Sequence, residues 1–126
     1  MSPPIQRTVI RALRTALDLA GVDVVYVAGE VRIAMAAVKS EANVEVILAD
    51  GSITTARSTV WRFPRSRLVS GGAQIIPARG HTIEYQREGN VAQLFEVQPM
   101  GGLPAYSSVD PWETWWLVRS KLIEQI

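Results

Sequence analysis

The chain has 126 residues, 48% of them hydrophobic and 20% charged, with a formal net charge of +1. That length suits one modest core, and that composition excludes a disordered chain. Without cysteine there is no disulfide framework, thiolate nucleophile or Cys-based zinc site. No apolar run reaches the ~20 residues that span a bilayer.

Ser2 suits an N-cap and Pro3-Pro4 a first helical turn. Ile5, Val9, Leu13, Ala16, Leu17 and Ala20 then follow helical spacing, with Gln6, Arg7, Arg11, Arg14 and Asp18 largely off that face, and Gly21 is the stop. This predicts an amphipathic helix over residues 3–20 that either covers an open face of the remaining domain or docks on a neighbouring subunit, or does both. Its arginines and prolines are unlike a secretory signal.

Val22–Val27, the turn Ala28-Gly29-Glu30 and Val31–Val38 read as a hairpin, although Ala34–Ala37 are also good helix formers. Lys39–Asn43 reads as a polar turn. Val44–Ala49 and Ile53–Phe63 flank Asp50-Gly51, the strongest hairpin signal in the chain, and Pro64 ends that pairing. Residues 65–72 form a connector, with room for one helical turn. The last part reads as a three-strand antiparallel meander: a strand after Gly80, a turn at Glu88-Gly89-Asn90, a strand through Phe95, the Gly101-Gly102 loop, and a final strand launched by Asp110-Pro111. The fold expected is mainly β: a small antiparallel β-barrel or sandwich over residues 22–121 with one N-terminal amphipathic α-helix, all within a single domain of residues 1–126.

Charge is unevenly placed. Residues 1–67 carry net +3 and residues 68–126 net −2, and between Asp50 and Glu84 lie Arg57, Arg62, Arg65, Arg67 and Arg79 with no acidic residue. This is either a solvated surface or an electropositive patch facing DNA or an acidic partner. Trp115 falls on the opposite face of the last strand from Trp112, Trp116 and Val118, so it is either covered by the helix or an interface anchor. His81 is the only histidine and reads as a surface strand residue. There is no nucleophile elbow, phosphate loop or zinc-helix motif, and nothing points to an enzyme, a cofactor or a metal.

The C-terminal third carries an ordered set of motifs: Arg79-Gly80-His81-Thr82-Ile83, then Phe95-Glu96-Val97-Gln98-Pro99, then Gly101-Gly102, then Asp110-Pro111-Trp112 with Trp116, Val118 and Lys121 closing the last strand. In this order they resemble tailed-bacteriophage head–tail joining proteins of the stopper or head-completion type. His81 stands where that family favours Asp, and the Trp115-Trp116 pair is heavier than usual.

The resemblance implies a structural protein of the phage neck, assembled in the host cytoplasm. It implies a cyclic homo-oligomer of on the order of six or twelve copies. Its partners would be portal and adaptor proteins, the tail terminator or tail tube, and packaged double-stranded DNA, with no membrane. Arg57, Arg62, Arg65 and Arg67 become candidate channel or partner-ring contacts, and Gly101, Gly102, Leu103, Pro104 and Tyr106 a candidate docking loop. The alternatives are a tail terminator ring or a monomeric nucleic-acid-binding barrel that uses Arg57, Trp61, Arg62 and Phe63.

Overall fold

The computed structural model describes residues 4–86 and 92–125. The expected turn at Glu88-Gly89-Asn90 lies outside them. Helix α1 spans Pro4–Ala20 and runs straight into strand β1, Gly21–Ala28. Gly21 is required by proximity, because a Cβ there would sit 2.3 Å from the Leu17 carbonyl oxygen.

Strands β2 (Val31–Ile47) and β3 (Ile53–Pro64) follow, then a 3₁₀ turn at Arg65–Arg67 and a two-residue ladder of β4 (Val69–Ser70) with β5 (Ala73–Gln74). The chain finishes with β6 (Thr82–Gln86), β7 (Ala92–Val97), β8 (Tyr106–Ser108) and β9 (Trp115–Gln125). All pairings are antiparallel, in the order β3-β2-β1-β6-β7-β9, and β9 pairs back onto β3. Six strands therefore close into a barrel-like ring, as the mainly β reading with one N-terminal helix expects.

Register fixes what fills the ring. Tyr26 lies opposite Ile83, Ile83 opposite Phe95, Trp61 opposite Val118 and Phe63 opposite Trp116, so one face of every strand delivers its large side chains inward. Trp61 and Phe95 meet edge-to-face at 5.2 Å, and Tyr26 and Phe63 at 6.2 Å. Tyr26, Trp61, Phe63, Ile83, Val97 and Val118 fill the interior, each at most 1% exposed. Two of its polar groups are paired in series, since Trp61 Nε1 donates to Ser120 Oγ at 2.9 Å and that hydroxyl donates to the Thr59 carbonyl at 2.8 Å, whereas the buried Trp116 Nε1 has no partner.

The structure corrects the sequence reading in three places. Lys39–Asn43 is no turn: β2 runs unbroken for 17 residues because each polar residue there has a pairing partner on β3, from Lys39 opposite Trp61 to Asn43 opposite Arg57. Lys39 follows Met35 and Ala37 on the inward face, and its ammonium rests 5.4 Å from the Tyr85 ring centre. Second, the loop after β7 contains strand β8, which pairs with the same edge of β9 that β7 uses farther along. Third, Trp112 precedes β9 and stays outside the core cluster.

The turn that launches β9 is built on Asp110. Its buried carboxylate accepts the Thr114 and Trp115 amides, each at 3.0 Å, and the Thr114 hydroxyl at 2.7 Å. Burial pushes this carboxyl up, but the hydrogen bonds outweigh it and hold Asp110 below the ordinary carboxylate value.

Candidate functional site

Two elements leave the ring. The first is a ribbon. β9 accompanies β3 only as far as the Thr59–Ser120 pair, so Ile53–Ser58 keeps β2 residues 42–47 as its sole strand neighbour. At ~3.4 Å per residue this two-stranded arm is about 20 Å long.

Its turn spans Leu48–Ser52, closed by the Leu48 amide on the Ser52 carbonyl at 2.8 Å. Asp50 Oδ1 accepts the Ser52 amide at 2.9 Å, and Gly51 takes the positive φ of 85°. Ile47 and Ile53 form a direct cross-strand pair at the tip and are 74% and 65% exposed, with Leu48 exposed beside them. Such a pair in open solvent is unusual for a short ribbon, whose exposed edges normally carry charge.

The second element is α1, in which no described side chain is fully buried. At ~100° per residue its apolar residues split into two stripes. Ile10, Leu13 and Leu17 are half-buried against the body, whereas Ile5, Ala12, Ala16 and Leu19 lie about 120° around the axis and are exposed, Ile5 by 70% and Leu19 by 83%. The helix thus docks on its own sheet with only half of its apolar arc.

Between α1 and the body lies a cleft of about 770 Å³, lined by Arg14, Asp18, Arg65, Arg67, Gln74 and Trp115 among others. Here the tryptophan expectation resolves. Trp115 is 4% exposed within the single chain and forms part of the cleft wall, so it is no free anchor for a partner. Arg65 is pinned too: its guanidinium carbon lies 3.6 Å from the Trp116 ring centre and its Nη2 donates to Ser108 Oγ. This candidate channel or partner-ring contact is therefore held against its own chain, whereas Arg67 is exposed.

The other candidate arginines also part company. Arg57 is neutralised by Glu41 at 3.3 Å on the arm. Arg62 points to the outer face, donates to Ser40 Oγ at 2.6 Å, and neighbours Arg119, which donates to the Pro104 carbonyl at 2.8 Å. Burial and then the Arg62 charge push Arg119 below the ordinary guanidinium value. Among the described residues neither arginine is in an ion pair.

Trp61 and Phe63, proposed to stack bases beside them, are sealed inside the ring. His81 is half-buried rather than a surface residue. Its Nδ1 accepts the Tyr26 hydroxyl at 2.8 Å and the Ala78 amide at 3.3 Å, and burial pushes its pKa down from the ordinary imidazole value.

The family of phage head-tail joining proteins matches the chain over residues 5–126. The chain belongs to that family. It is accordingly a structural protein of the neck of a bacteriophage virion, where head and tail components meet. No curated protein matches it. Among the described residues no helix of this joining protein is long and apolar enough to cross a membrane, and no group of three potential metal ligands converges.

The candidate docking loop of the joining protein is a type I′ turn, Gly101 and Gly102 having φ of 58° and 79°, closed by paired bonds between Met100 and Leu103. Its inner side is already engaged: a Cβ on Gly101 would meet the Glu45 carbonyl and Val44 Cβ at 3.0 Å, so the turn braces the root of the arm. Leu103, Pro104 and Tyr106 remain exposed.

Sequence reasoning missed the most exposed apolar residues, Ile5 and Leu19 on the helix and Ile47 and Ile53 on the arm. Their signals were present. The helix has an apolar arc of roughly 180°, wider than one docking face needs, and the Asp50-Gly51 turn is flanked by aliphatic residues on both sides.

Proposed function

We propose that this joining protein is a stopper or head-completion subunit. Copies meet side to side in a closed ring, on the order of six or twelve, since a part that surrounds a channel needs rotational symmetry. The ring sits between the portal and adaptor on the head side and the tail terminator or tail tube on the other, with double-stranded DNA passing through its centre. Assembly takes place in the host cytoplasm before the virion is complete.

The observation that carries this reading is the Arg62–Arg119 pair on the outer face of β3 and β9. Two adjacent guanidiniums, neither in an ion pair among the described residues, repel each other and are relieved by an anion from outside the chain, either a DNA phosphate or an acidic side chain of the next ring. The packed interior adds a constraint. DNA cannot run through the strand ring of one copy, so a channel belongs between copies.

The test is a reconstruction of the neck together with an Arg62→Gln and Arg119→Gln variant. The expected result is a closed ring, and for the variant a loss of DNA-filled, tailed particles that deepens with salt while the isolated protein stays folded. A single asymmetric copy in the neck overturns the ring. Unchanged yield at every salt concentration overturns the arginine role.

A further inference from the structure

Resting on the ring reading, we infer that the arm of each copy docks its tip on the outward stripe of a neighbour's helix α1. The two surfaces are the principal uncovered apolar features of the fold. Neither serves its own chain, since Ile5, Leu19, Ile47 and Ile53 all remain exposed within it.

The pieces match in shape. The stripe from Ile5 to Leu19 is about 21 Å long at 1.5 Å per residue. Ala12 and Ala16 leave a shallow saddle between its two large ends, wide enough for one cross-strand isoleucine pair. The pieces also match in charge. Glu45 lies two residues from Ile47 on the same face of the arm, and of the helix cations Arg11 is the one whose flank borders the stripe, whereas Arg7 and Arg14 point nearly opposite to it.

The contact is heterologous, because the donor and acceptor surfaces are different parts of the chain. Repeated from copy to copy it generates a ring or an open helix rather than a dimer. The brace between the Gly101 turn and Val44 sets the angle at which the arm leaves the body, and so helps choose between those outcomes.

The cysteine-free sequence permits a direct test. Ile53→Cys is combined with Ala16→Cys in one chain, assembled into particles and treated with a short bismaleimide. A ladder of multimers is expected from the double variant and none from either single variant. A parallel Ile47→Ser, Ile53→Ser variant is expected to keep the parent melting temperature while tailed-particle yield falls at least tenfold. The competing seat is the shallow face of Val25, Ala34 and Ala36 beside Asp23. A ladder from Ala16→Cys with Ala34→Cys, and none with Ile53→Cys, overturns the inference. So does wild-type yield from the serine variant. If copies are counted as several per neck while these fail, only the arm contact falls; one copy per neck removes the ring as well.

Discussion

The strand ring and the two elements that leave it follow opposite rules. Inside the ring the aromatic and aliphatic side chains of the core cluster are covered, and the Trp61 indole and Ser120 hydroxyl find partners. On the arm and the outward helix stripe, four large aliphatic side chains stand at least 65% exposed. Burying an isoleucine or leucine contributes about 1.5–3 kcal/mol, so the fold forgoes that gain at each of four positions. The difference separates residues that hold the monomer together from residues whose burial the single chain does without.

Mutations should fall on one side or the other of that divide. The largest loss of stability is expected from Trp61→Ala, which opens a cavity in the ring and removes the donor that the Ser120 hydroxyl accepts. Urea denaturation should show a loss of about 3–5 kcal/mol.

Next is Asp110→Asn, which removes charge-assisted hydrogen bonds from the turn before β9 and should cost about 1–3 kcal/mol at neutral pH. The parent protein should also respond to acid at this site. Because the folded pKa of Asp110 lies below its ordinary value of 3.8, its contribution is fully present above that value and is lost as pH falls through the folded pKa. Melting curves collected down an acid series should therefore be flatter for Asp110→Asn in that range.

Gly101→Ala sits on the border between the two regions. Its positive φ and its 3.0 Å approach to the arm backbone predict a loss of about 1–2 kcal/mol. Part of the strain should appear as faster hydrogen exchange along Val44–Ile47, where the brace touches the arm. Exchange confined to the 100–103 turn would show that arm and body are uncoupled.

The smallest effect on the isolated chain is expected from Leu19→Ser, within about 0.5 kcal/mol of the parent in the same denaturation assay. A larger loss would mean that the outward stripe does serve the monomer, and the divide would have to be redrawn.

Local chemistry sufficed for much of this architecture. The helix ending before Gly21, the turns at Gly29-Glu30 and Asp50-Gly51, and the inward alternation of Trp116 and Val118 follow from spacing and turn residues in the chain itself. The ordered motifs from Gly80 to Lys121 likewise carried the likeness to the family that matches the chain over residues 5–126.

Tertiary structure decided what depends on residues far apart. Lys39–Asn43 is strand only because β3 pairs with it, and Trp115 is buried only because α1 and the connector close over it. Arg57 and Arg62 look alike in sequence, yet Glu41 neutralises one while Arg119 is set beside the other. Periodicity can mark a side chain as apolar or charged. Whether that side chain is covered, paired or left for another molecule depends on which strands meet it, and that is fixed only when the ring closes.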